Sequence, residues 1–361
     1  MRRLDLIEAT AHDRHAGDDY VRLRSHGLAT VRDGLRWHLI EQRRGHYDWR
    51  SFMPMLEAAE RHGMQVIWDL CHYGWPDDID VFRPEFVERF AAFSRAVARL
   101  LRDRSNDIPF YCPVNEISYW SWAGGNQALI NPLAHGRGHE LKHQLVRASI
   151  AAIDAIREVD RRARFLHVDP MVNVVARDET QQAEAQALCR VQHDSALLLA
   201  GEQWPGLGGR PSCLDIVGVN YYSNNQWFLD GQTIPRDHPD YLPPRELLAR
   251  THRRLGRPVL IAETGAEGHA RVPWLRHVFD EVEAAMAAGT PIEGVCLYPV
   301  LDYPGWADER HCETGLYGLA GPDGERHLHA DLAAELARQQ QRLAALAPAP
   351  AGASMPASAA A

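Results

Sequence analysis

Residues 257–266 read RPVLIAETGA, an apolar run that ends abruptly in a carboxylate. From Pro258 to Ala262 no side chain is polar, so the run reads as a strand covered on both faces. Glu263 stands at its tip, where a buried charge is costly unless it is paired. Similar short runs recur along the chain: LDLIEA (4–9), ATVRDGL (29–35), MQVIWDL (64–70), PFYCPVNE (109–116), RFLHVDP (164–170), LDIVGVNYY (214–222) and IEGVCLYPV (292–300). Together with PVLIAE (258–263) they make eight strand candidates in order.

Amphipathic helices separate them. EFVERFAAFSRAVARLL places Phe86, Phe90, Phe93, Val97 and Leu100 at helical spacing behind Pro84, and WLRHVFDEVEAAM places Leu275, Val278, Phe279, Val282 and Met286 likewise. Strands apolar on both faces, each followed by a helix with one apolar face, imply a parallel sheet wrapped by helices. Eight such units favour closure as a single-domain (β/α)8 TIM barrel, here spanning residues 1–342. A doubly wound sheet is the alternative. It lacks support, because no G-x-G-x-x-G follows the first strand, and Gly206, Gly208 and Gly209 lie between a helix and a strand. The stretch from Asn224 to about Pro244 is irregular and stands where a substrate mouth would be built. The Ala/Pro/Ser-rich segment 343–361 reads as a disordered tail.

Composition narrows the function classes. The chain has 361 residues, 45% of them hydrophobic, with 39 Lys and Arg against 48 Asp and Glu. A net charge of -9 without a basic run argues against a nucleic-acid partner. MRRLDLIEAT passes at once into Asp5 and Glu8, which leaves no apolar stretch for a leader or a membrane span, so the expected location is the cytoplasm. Six cysteines without a C-x-x-C pair are expected to be reduced.

In a barrel the reactive groups sit at the C-terminal ends of strands. The fourth candidate ends in Asn115 and Glu116, the seventh in Glu263. Carboxylates from nearly opposite sides of a closed barrel can both reach its mouth, about 5–5.5 Å apart where a retaining glycosidase is concerned. An ionised Glu263 would attack an anomeric carbon. Glu116, its proton held by burial and the neighbouring charge, would protonate the leaving oxygen. The bland alternative is that both pair with arginines at the rim. Arg32 offers a planar fork for a carboxylate, and Tyr222 a neutral donor. Trp75, Trp120, Trp122 and Trp306 follow strand ends, where indole faces stack on sugars or simply fill the core.

In these segments the sequence resembles family 1 glycoside hydrolases, the β-glucosidase family, from about Ala29 to Gly318. VRDGLRWHLIE resembles its second-strand segment, CHYGWPDD its strand-three motif, VNE its acid/base signature, LDIVGVNYYS its strand-six motif, IAETG part of its nucleophile motif, and LYPVLDYPGW with TGLYG its strand-eight segment. The resemblance implies that Glu263 is the nucleophile and Glu116 the acid/base. It implies that Arg32 and Tyr222 support the nucleophile, and that Asn115, His72, Trp75, Asn220, Tyr298 and Trp306 shape a site for a small glycoside or oligosaccharide. It implies no cofactor and no metal. Departures are also visible. Tyr298 replaces a tryptophan platform, Gly305 replaces a glutamate that grips the sugar's 4- and 6-hydroxyls, and the first candidate strand has no counterpart of a sugar-binding Gln.

Nineteen histidines invite a rival, metal-dependent barrel hydrolase built on His12, His15, His72, His167 and Asp169. The spacing H-D-R-H in an expected loop is poor for a metal site, and His72 fits better as a donor to a sugar hydroxyl. His12 and Asp13 stand as further candidates for the sugar site. A third reading, a non-catalytic carbohydrate-binding barrel, has no use for an acid and a nucleophile at matched positions.

Overall fold

The computed structural model describes residues 4–346. Seven parallel strands form a nearly closed barrel: β1 (Thr30–Gly34), β2 (Gln65–Asp69), β3 (Phe110–Cys112), β4 (Arg164–Pro170), β5 (Ile216–Asn220), β6 (Val259–Thr264) and β7 (Ile292–Leu297). They hydrogen-bond in sequence order, each to the next. The sequence expectation of eight strands fails at the first. Leu6–Ala9 is a helical turn, α1, whose Glu8 N–H is capped by the Asp5 side chain at 3.1 Å. Asp5 and Glu8 form an Asp-x-x-Glu start signal, and such a cap favours the helix over an extended run. Among the described residues nothing strand-like lies between β7 and β1, and those two edge strands are mostly half-exposed where β5 is wholly buried.

Helices α2 (His12–Ser25), α3 (Met53–His62), α4 (Pro84–Arg104), α5 (Gly138–Val159), α6 (Asp194–Ala200), α7 (Pro244–Leu255), α8 (Arg271–Ala287) and α9 (Ala330–Leu346) wrap the sheet. Pro84 opens α4, where its missing N–H costs nothing, and Phe86, Phe90 and Phe93 bury completely around Trp37. Each fully buried aromatic of this size contributes roughly 1.5–3 kcal/mol through removal from water. Leu275, Val278, Phe279 and Val282 of α8 are likewise buried. The barrel axis is filled by Ile67, Cys112, Leu166, Val168, Ile216 and Ala262. Helix α9 runs to Leu346, past the tail boundary expected at 342, and residues 347–361 lie outside those described.

The stretch after Asn224 is not irregular throughout. Gln226–Phe228 pairs in parallel with Asn173–Val175, which ties together the loops after β5 and β4. All six cysteines are free. Among the described residues no helix is long and apolar enough to cross a membrane.

Candidate active site

Strand β6 delivers Glu263 through a break in its own pattern. Leu260 and Ala262 face the barrel axis while Val259 and Ile261 face the helices, so strict alternation would send Glu263 outwards. The register against β5 shifts at this point, pairing Val219 with Ile261 but Asn220 with Glu263. The extra residue is a bulge, which re-aims the side chain into the barrel. There Arg32 Nη1 donates to Glu263 Oε1 at 3.0 Å and the Tyr222 hydroxyl donates to Oε2 at 2.9 Å. Burial and the Glu263 charge push the Tyr222 phenol well above its ordinary range, which keeps its proton available for this bond.

Arg32 is the hub. Its other nitrogen, Nη2, donates to Asp69 at 2.7 Å and to Asn115 Oδ1 at 2.8 Å. Burial opposes its charge, but Asp69 and Glu263 outweigh that and hold the guanidinium protonated. Asp69 in turn binds His72 Nδ1 at 3.1 Å. Asn115 Nδ2 then points to the Tyr73 hydroxyl at 3.1 Å and to His72 Nε2 at 3.3 Å.

Glu116 closes the network from the other side. Its N–H bonds Val168 O at 3.0 Å, and its backbone adopts φ 47°, the left-handed region that few non-glycine residues enter. Asn220 Nδ2 donates to Oε1 at 2.9 Å, and the Tyr73 hydroxyl donates to Oε2. The Glu116 carboxyl is pushed up to about 7, by burial first and by the Glu263 charge second, against the pull of the Tyr73 and Asn220 hydrogen bonds. A glutamic acid in that setting is half protonated near neutrality and can both give and take a proton.

The structure thus brings Arg32, His72, Asn115, Glu116, Asn220, Tyr222 and Glu263 into one hydrogen-bonded cluster. Tyr298 joins them at the rim: its N–H bonds Thr264 O at 2.8 Å, and burial followed by the Glu263 charge raises its phenol well above the usual value. Trp306 is 43% exposed and stands edge-on to Tyr73, ring centres 5.9 Å apart. Trp122 is also exposed, but Trp120 is buried with its N–H on Asn131 O. Trp75 departs from expectation. Its indole N–H is bonded to Ile79 O at 2.9 Å and its rings pack against Phe86 and Trp120, so it supports the wall.

The remaining histidine candidates are not at the mouth. His12 belongs to α2 and binds Asp19 and Asp33 on the outer side of β1, while Asp13 pairs with Arg36 at 3.0 Å. His167 and Asp169 alternate with the axis-facing Leu166 and Val168, and both meet Ser195 of α6. Among the described residues no group of three His, Cys, Asp or Glu could hold a metal ion. Two members of the cluster escaped the sequence reading. Asp69 had a usable signal, since it ends an apolar strand run as Glu263 does. Tyr73 had none beyond its place next to His72.

No family model matches the sequence, and no curated protein sequence is similar to it. Solved structures do match in fold. A hyperthermophilic β-glucosidase mutant superposes with a TM-score of 0.76 at 18% identity, over 92% of this chain and 89% of that one. The family 1 β-glucosidase from Thermotoga maritima gives 0.75 at 16% identity, over 91% and 86%. The Thermotoga maritima β-glucosidase in complex with castanospermine gives 0.77 at 17% identity over 91% and 86%. At these identities the likeness is one of fold.

Proposed function

We propose that this chain is a retaining β-glycosidase that works by double displacement. The observation that carries the reading is the unequal setting of two glutamates in one network: Glu263 gripped by Arg32 and Tyr222, Glu116 pushed up to about 7 by burial and by Glu263 itself. Glu263 attacks the anomeric carbon as a carboxylate while the bond to the leaving oxygen breaks, and Glu116 gives that oxygen its proton. The product is a glycosyl ester on Glu263. Glu116, now a base, takes a proton from water, the water oxygen attacks the same carbon, and Glu263 leaves. Asn115, anchored by Arg32, bonds the sugar 2-hydroxyl, and His72, Tyr298 and Trp306 line the sugar site. The chemistry needs no cofactor.

The Thermotoga maritima fold neighbours have been solved in complex with glucoimidazole and castanospermine, which supports a sugar-sized ligand for this mouth. Gly305 lacks any side chain to grip a sugar hydroxyl, so the sugar need not be glucose. The test is trapping. After incubation with activated 2-fluoro glycosides of gluco, galacto, manno, fuco and xylo configuration, peptide mass spectrometry should find one sugar esterified to Glu263. Hydrolysis of the parent glycoside with inverted anomeric configuration, or an adduct on another residue, would sink the proposal. A bound sugar that is never cleaved would identify a binding protein.

A further inference from the structure

We propose that Tyr73 is a positioning residue for the reaction, the hydroxyl that stabilises the Glu116 carboxylate as Glu116 gives up its proton and loosens its hold as the proton returns. This rests on Glu116 being the acid/base of the reaction proposed above.

The direction of every hydrogen bond around Tyr73 follows from Arg32. A guanidinium can only donate, so the Asn115 oxygen must face Arg32 Nη2 at 2.8 Å. The Asn115 amide nitrogen must then face the Tyr73 oxygen, 3.1 Å away, and occupies one of its lone pairs. The phenol's only hydrogen is left for Glu116 Oε2, the bond observed. Asn220 covers the other carboxyl oxygen at 2.9 Å, but an amide N–H can only donate. Tyr73 is therefore held as a donor to Glu116 Oε2, a bond that is strong to the bare carboxylate and weaker to the protonated acid.

The ring is held for that task. Tyr73 has φ 68°, a left-handed backbone that is unusual for an aromatic residue, and the His72, Trp120, Trp306 and Tyr119 rings surround it at 4.8, 5.5, 5.9 and 6.1 Å. As Glu116 protonates the leaving oxygen, negative charge grows on its carboxyl, and a donor already in place strengthens without reorganisation. When water later gives Glu116 a proton, the same contact weakens.

The other groups facing Glu116 act on its charge as well. Burial, Glu263 on β6 and Asp169 on β4 raise its proton affinity, and the Asn220 bond from β5 lowers it along with Tyr73. The Tyr119, Tyr222 and Tyr298 phenols, each near Glu116, are raised above their usual range, and Arg32 and His72 are engaged by Asp69.

The experiment compares kcat/KM for a series of aryl glycosides, from dinitrophenyl to methoxyphenyl, across pH, in the unaltered protein, Tyr73→Phe and Glu116→Gln. Tyr73→Phe should lose about 10- to 100-fold on the poorest leaving groups, in line with a hydrogen bond to a charged partner. It should stay within about threefold on the dinitrophenyl glycoside, which needs little protonation. Its alkaline limb should move to higher pH, because a bond favouring the charged form has been removed. Equal losses across the series with an unmoved limb would overturn the proposal and make Tyr73 structural. Glu116→Gln separates the two claims. If it collapses on poor leaving groups while Tyr73→Phe matches the unaltered protein, only Tyr73 is wrong. If it leaves them unaffected, the acid/base assignment falls and takes Tyr73 with it. Should Tyr73→Phe fail to fold, 3-fluorotyrosine at position 73 keeps the shape and donates more strongly, so the limb should move down. An unmoved limb there would also overturn the proposal.

Discussion

Neighbouring residues on β1 lead into two buried charge clusters of opposite character. Arg32 turns to the barrel axis and meets Asp69, Asn115 and Glu263. Asp33, one position on, turns outwards and takes His12 at 3.0 Å and the Tyr20 hydroxyl at 2.7 Å, while Arg326 closes the cluster on Asp19 at 2.6 and 2.9 Å. The outer cluster balances itself: His12, Arg326 and Arg22 stand against Asp19, Asp33 and Glu325, and the group pins α2 and the antiparallel hairpin of Tyr317–Ala320 with Arg326–Leu328 to the barrel. The inner one does not. Asp69, Glu263 and Glu116 crowd around Arg32 and His72, and burial first, then the Glu263 charge, make Glu116 keep a proton. Both clusters are buried; what sets the candidate site apart is that its carboxylates outnumber their paired cations at the strand tips.

The sharpest way to break this comparison is to remove the arginine from each side. Arg32→Met should lower kcat/KM by roughly three orders of magnitude or more, since Glu263, the proposed nucleophile, loses its anchor along with Asn115. Arg326→Met should leave turnover nearly unchanged but cost about 3 kcal/mol of stability by stranding part of Asp19, read as a shift in the denaturant midpoint. If both variants lose activity alike, the clusters are not distinct.

A milder effect comes from pH. His12 is raised from 6.5 to about 10, its burial outweighed by Asp33 and Asp19. A group whose folded value lies above its unfolded one stabilises fully below the unfolded value, so this contribution is complete below about 6.5 and is lost as pH climbs towards 10. Melting temperature should fall across that window, and His12→Gln should flatten the decline. An unchanged slope in His12→Gln would remove His12 from the account.

The smallest change is expected at Trp75. Because its indole N–H serves Ile79, Trp75→Phe should cost about 1 kcal/mol of stability and shift KM by no more than about twofold. A large rise in KM would return Trp75 to the sugar site.

The strand runs that end in Asn115–Glu116, Asn220 and Glu263 were legible in the sequence, because continuous apolar stretches between amphipathic helices leave few alternatives to a helix-covered parallel sheet. So was Arg32 as a partner for a buried carboxylate. The first strand was misread: LDLIEA is apolar enough for a strand, but the Asp5 cap makes it a helical turn. His12 and Asp13 were misplaced for the same reason, since a helix starting at residue 12 carries them to the outside of β1.

What the sequence by itself determined is the order of the strands and the carboxylates at their tips, because local hydrophobic pattern acts over a few residues and is written in the chain. Only the tertiary structure decided which side chains meet. The bulge that turns Glu263 inwards depends on pairing between strands, and the Tyr73 contact joins groups 43 residues apart while the Arg32 contact spans 231. The proton held by Glu116 is a product of that closure: its affinity depends on burial and on a charge from another strand, and neither exists until the barrel has formed.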